Sequence, residues 1–156
     1  MAITQAMSTS FKAELMLAVH DFRVGGDTFK LAMYTSSASI DANTTAYTAS
    51  NEVTGTNYTA GGGTLTNLGV VTSNNNASSG TGFTDFADLT FANSTITARG
   101  ALIYNPTPSA NSNANTTLTN AAVASLDFGS DKTSTDGDFT IIFPTATNTT
   151  AIIRIV

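Results

Sequence analysis

The sequence predicts an all-β chain: a two-sheet sandwich, with a jelly roll as its architecture and one short N-terminal helix. Three observations predict it. Thr, Ser and Asn make up 58 of the 156 residues, and Thr favours strands while Ser, Asn and Gly favour turns. The straight-chain helix formers Glu, Lys and Arg are scarce. The last third, from Leu126-Asp127-Phe128-Gly129 to Ala151-Ile152-Ile153-Arg154-Ile155-Val156, alternates short apolar and β-branched runs with Gly, Asp, Asn and Thr. Closely paired strands read this way, and the final run reads as a strand tied into a sheet.

Residues 1–156 are read as one domain, since this length supports one real core and crowds two. The formal net charge is −5 and no Lys/Arg cluster exists, so nucleic acid is excluded as a partner. No run of 18 apolar residues marks a membrane span, and the opening residues lack the pattern of a secretory signal. The chain has no cysteine, which excludes disulfides and thiolate metal sites and fits a reducing cytoplasm. Only 11% of residues are charged. Charge is the usual guard against association, so a partner is expected to cover part of this surface.

Residues 1–24 form the N-terminal helical segment. Ser8-Thr9-Ser10 supplies a cap, and Phe11, Leu15, Val19 and Phe22 follow on one face of a helix over residues 9–22. Gly25-Gly26 stops it. Thr28–Thr35 alternates, with Phe29, Leu31 and Met33 on one face, as a half-buried strand. Tyr47, Val53 and Tyr58 sit in a sparse stretch that holds one or two short edge strands. Gly61-Gly62-Gly63 reads as a flexible turn, and strand character resumes over Thr64–Thr72. Two segments, 73–82 and 106–119, carry almost nothing to bury and read as surface loops. Phe83–Phe91 and Thr95–Tyr104 are strands between them, with a bulge or two-sided burial at Phe86. Ala122–Phe128, Phe139–Phe143 and Thr150–Val156 complete the set, with Asp136-Gly137 as a tight hairpin turn. An immunoglobulin-like sandwich is the alternative architecture, without the Cys and Trp pattern of antibody domains.

The residues offer no catalytic constellation. The one histidine, His20, reads as a helix-surface or capping residue. Its neighbour Asp21 points about 100° away on a helix and is badly placed to orient the imidazole. Asp127, Asp131, Asp136 and Asp138 miss calcium-loop spacing: a loop starting at Asp131 has Asp136 at its sixth position and Ile142 at its twelfth. Asp85 and Asp88 point to opposite faces of a strand, so they make no glycosidase pair. The glycines at 61–63 lack the Lys-Ser/Thr of a phosphate loop. The chain therefore reads as no enzyme, with no metal and no cofactor. Arg99, flanked by Ala98 and Gly100, is the most interesting charge: it suits an ion pair across an interface, or a cross-strand pair within the chain.

The Phe11–Phe22 helix, Phe29–Ser36, Thr97–Tyr104, Leu126–Gly129 and Ala151–Ile155 together resemble small structural proteins of tailed-bacteriophage virions, most of all capsid decoration or cement proteins. The resemblance implies a β-sandwich that acts on the virion exterior after assembly in the host cytoplasm. Its partners would be the major capsid protein and itself, as a homodimer or homotrimer. The candidate interface residues are Phe11, Leu15, Val19 and Phe22 on the helix face, with Arg99; sheet edges come second. A tail or fibre component, binding glycans through Tyr47, Tyr58 and the polar loops, is the alternative.

Overall fold

The computed structural model describes residues 2–73, 80–108 and 118–156, and shows two antiparallel sheets and one short helix. In chain order the elements are β1 (Ala6–Met7), α1 (Thr9–Met16), β2 (Lys30–Tyr34), β3 (Gly63–Thr64), β4 (Asn67–Ser73), β5 (Thr81–Phe86), β6 (Leu89–Asn105), β7 (Ala121–Ile141) and β8 (Ile153–Ile155). One sheet has the order β1-β7-β6-β2-β3 and the other β4-β5-β8. The all-β sandwich is as expected. The strand order does not confirm a jelly roll, because β4–β5 and β6–β7 are sequence neighbours that pair within one sheet.

Period-two alternation organises the larger sheet. Leu31, Met33, Ala101 and Ile103 enter a core that also takes in Phe86 and Ile153 of the smaller sheet and Phe11 of α1. Their neighbours Ala32, Tyr34, Leu102 and Tyr104 point the other way, into a second core with Ile3, Ala38 and Ile40. Both faces of the central strands are therefore covered, which explains why β2 is apolar almost throughout.

The second face is covered by Ile3 with Ala38, Ile40 and Tyr47, while Val53 and Tyr58 of the same 35–60 segment pack with the first core. Tyr47, Val53 and Tyr58 belong to no strand here, contrary to expectation; the segment touches the sheet only through isolated bridges such as Tyr34 with Glu52. A buried carboxylate substitutes for a ladder. Glu52 accepts hydrogen bonds from the hydroxyls of Tyr47 and Tyr58 at 2.7 Å each and from the Gly61 amide at 2.8 Å. Tyr104 stacks on Tyr47 and donates to the Gly61 carbonyl. Burial pushes the Tyr104 phenol up to about 12, with the Glu52 charge adding to it; Tyr34, Tyr47 and Tyr58 are raised by the same desolvation. The glycines beside Glu52 are held close against β2 rather than forming a flexible turn: at Gly62, φ +69, a Cβ would lie 1.8 Å from the Leu31 carbonyl oxygen.

Local breaks account for the other departures. Phe83–Phe91 is two strands in different sheets, and Ala87-Asp88 carries the chain between them. Of the two expectations at Phe86, two-sided burial holds, with Thr84, Asp85 and Phe86 all buried, while the bulge lies across from it, in β4 between Asn67 and Val70. Ala122–Phe143 is one long strand followed by a tail, with Asp136-Gly137 as a bulge inside it. Ser94 pairs with Gly137 and Ile96 with Ser134, so Thr95 faces two residues. Asp136 takes φ +49, and its amide and carboxylate both bond the Thr95 hydroxyl. Asp-Gly thus supplies its left-handed geometry to a bulge instead of a hairpin. Of the two expected surface loops, residues 74–79 and 109–117 lie outside the described residues, while Ser73 belongs to β4 and Thr81-Gly82 to β5.

The helix is shorter than the apolar spacing suggests. It ends at Met16, and Ala18 takes φ +54. The Val19 amide returns to the Glu14 carbonyl and the Ala18 amide to Leu15, the closing pattern that usually recruits glycine. Ala18 is exposed, so Ala18→Gly is expected to stabilise the protein by roughly 1 kcal/mol in chemical denaturation. Gly62→Ala should cost several kcal/mol or abolish folding, because its Cβ meets backbone that cannot yield.

Candidate docking surface

The left-handed turn at Ala18 decides where the flanking side chains go. Val19, His20 and Phe22 turn inward, and Phe22 stacks on Phe29 at 4.3 Å. Met16 and Leu17 are left pointing out. A buried polar chain holds the turn. His20 Nε2–H donates to Glu14 at 2.7 Å, and Asn105 Nδ2 reaches both His20 Nδ1 at 3.1 Å and Asp27 at 2.8 Å. The Asp21 amide also donates to Asp27. His20 is therefore a core residue and not a helix-surface one. Both ring nitrogens are engaged, which leaves neither as a base or a ligand in this arrangement.

The same turn is fastened to the smaller sheet. Asn67, at the start of β4, donates from its side-chain amide to the carbonyls of Arg23 and Asp27. Arg23 in turn grips Asp21 through Nε and Nη2, and that hydrogen bonding holds the Asp21 carboxyl at about 2. On the far strand, Asp85 Oδ2 accepts from the Ile152 amide at 3.2 Å and so positions β8.

Between these elements lies an apolar cleft of about 280 Å³, with Leu15, Phe22, Val70, Phe83, Ile153 and Ile155 among its walls. Met16, Leu17, Val24, Leu68, Val71 and Val156 are exposed on or beside the elements that form it, Val71 on the face of β4 opposite Val70. Val24 approaches β4 at Gly69. Nine large apolar side chains are strongly exposed among the described residues, and eight of them lie on the α1 turn, β4 and β8. An accumulation of this kind marks an association surface, whereas single exposed leucines do not.

No protein-family model matches this chain, and no curated protein or solved structure matches it. What the surface does must be argued from its chemistry.

Of the residues selected from sequence, Leu15 and Phe22 line the cleft, while Phe11 and Val19 are buried in the chain's own core. A contact through Phe11 or Val19 would need those side chains to leave it. Arg99 lies elsewhere, in β6. It faces Asp127 at 3.4 Å across the strand pair, at the point where β7 loops out residues 128–131, so it makes the intramolecular cross-strand pair. The close approach expected beside it is made at Gly100 by Ile3 and the Leu126 carbonyl. Tyr47 and Tyr58, the glycan candidates, are held by Glu52, and Tyr47 has a face occupied by Tyr104. No group of three acidic or histidine side chains suited to a metal occurs among the described residues.

Sequence reasoning passed over Met16, Leu17, Val24, Val70 and Ile155. One signal for the first two was present: Leu15-Met16-Leu17-Ala18-Val19 is apolar on every side, more than one helical stripe accounts for.

A second open surface follows β7. Among the described residues its outer edge is unpaired beyond Ser125, and a shallow groove of about 490 Å³ runs beside it past Phe128, Phe139 and Ile142. This edge is guarded after all. Lys132, Asp136 and Asp138 are exposed along it and the Asp136 bulge interrupts it, two devices that discourage indiscriminate strand pairing.

Burial raises the Asp85 carboxyl above its usual range. A carboxyl raised in the folded state favours folding most when protonated, and that advantage is lost as pH rises through its folded value. Relative to Asp85→Asn, the wild-type protein should therefore gain thermal stability as pH is lowered from 7 toward about 4. Parallel melting curves at stepped pH measure the gap; one that stays constant or moves the other way contradicts the assignment.

Proposed function

We propose that this chain is a non-enzymatic structural protein of a virion, a decoration or cement protein that attaches to the outer shell and bridges neighbouring major capsid subunits. One observation carries the reading: the apolar end, where exposed apolar side chains lie on and beside the elements that form a cleft, suits association with protein better than turnover of a small substrate. The resemblance to decoration proteins supplies the setting. The polar clusters of the interior support the same view, because Glu52 and His20 are each bonded on every side that the fold presents to them.

Cementing works through multivalency. An oligomer that binds several capsid subunits weakly gains from effective concentration, and one that binds only the assembled lattice stabilises it by mass action. In this reading the apolar end serves association between copies. The guarded β7 groove with Ile142, 76% exposed, faces the shell, where an apolar anchor amid charges gives selectivity.

Cryo-electron microscopy of virions that contain this chain is the decisive experiment, with density for a small β-sandwich expected on the capsid exterior. Density on the tail alone, or absence from virions, overturns the reading. Ile142→Asp should fold normally and lose at least tenfold in occupancy on purified capsids, since a charge placed in an apolar contact costs about 1.4 kcal/mol or more. Unchanged occupancy would move the shell contact away from this groove.

A further inference from the structure

We propose that the apolar end is self-complementary and that two copies of this chain pair through it about a two-fold axis. The proposal goes beyond shell attachment and does not depend on it, because it stands on the shape, area and charge of this end alone.

The shape comes first. Met16, 84% exposed, projects from the last turn of α1. The residue before it, Leu15, forms a wall of the cleft. A projection and a recess of matching character are therefore supplied by consecutive residues of α1. A two-fold axis between them seats each Met16 in the other copy's cleft, and the same patch serves both chains, as an isologous interface requires. Methionine suits this task, since its unbranched side chain adapts to an irregular hole.

Area and charge agree. Seven apolar side chains, Val71 being left out because it shares Arg154's face of the smaller sheet, are each open over about half their surface or more and amount to several hundred Å², on the order of the ~800 Å² per partner that a standard interface buries. The charges nearby are engaged within the chain. Arg23 is paired with Asp21, and Glu14 accepts a hydrogen bond from the buried His20. Arg154 alternates away from Ile153 and Ile155 on β8 and donates to the Thr149 carbonyl. Lys12, one helical turn before Met16, stays at the rim. Two copies can therefore meet here without stranding a charge in an apolar contact. Pairing goes through the cleft and not along the β8 edge, where a ladder centred on Arg154 would set like charges opposite each other.

Sedimentation equilibrium of the full chain over a micromolar concentration series is the test. The expected mass is twice the 16.0 kDa of one chain. Met16→Asp and Val24→Asp, both at exposed positions, should keep the wild-type circular dichroism spectrum and melting behaviour, yet sediment as monomers. Ile142→Asp, away from this end, should remain dimeric. A wild-type monomer over the whole series overturns the proposal, and so does a trimer. Met16→Asp and Val24→Asp proteins that both fold and still dimerise overturn it as well. Each of these failures leaves the capsid reading standing, because that reading is judged by the location of the chain in virions.

Discussion

Burial of the central sheet on both faces is the constraint on which the rest of the structure depends. One face is covered conventionally, by the smaller sheet and α1. The other lies beneath Ile3 and part of residues 35–60, a segment with no strand of its own whose Val53 and Tyr58 reach into the first core. A cover without a ladder must satisfy its backbone and fix its position by other means. Here all four tyrosines of the chain contribute, through one another, through backbone carbonyls and through the Glu52 carboxylate. Glu52 accepts charge-assisted hydrogen bonds from three donors at once, and such bonds are roughly twice as strong as neutral ones. The cover, the glycine turn and the second core are thereby made into one unit.

The same economy shapes the functional surface. The chain's most conspicuous titratable groups are committed to internal tasks: Glu52 to the cover, His20 and Glu14 to the turn after α1, Asp85 to the start of β8. What remains open at the α1 end is apolar and close to electrically matched, while Asp131, Asp136 and Asp138 are exposed along β7. A chain organised in this way is suited to hold other proteins. If pairs form through the apolar end, each pair carries two copies of the β7 groove, and bridging follows from symmetry without further contacts.

Much of this was legible in the sequence. The β class follows from the Thr, Ser and Asn content, and β2 from the alternation of Phe29, Leu31 and Met33. Arg99 was placed correctly in a strand, with an intramolecular pair among its foreseen roles. Two of the failures share one physical cause: left-handed backbone at residues other than glycine. Ala18 ends the helix seven residues before the glycine pair that signals a stop, and Asp136 makes a bulge where Asp-Gly usually makes a turn. The Glu52 cluster was illegible for a different reason. Its members lie up to 70 residues apart, from Tyr34 to Tyr104, and only the folded sheet brings them together. The apolar end was likewise hidden, since β4, β8 and the α1 turn meet only in the fold.

Native-state hydrogen exchange at single-residue resolution tests the central claim most directly, because it reads the cover segment without altering it. The Gly61 amide, which donates to Glu52, and the Val53 amide, which donates to the Met33 carbonyl, should exchange as slowly as the amides of Ala32 and Leu102 in the sheet beneath. Exchange of Val53 and Gly61 at the rate of an exposed loop, with the sheet still protected, would contradict the account.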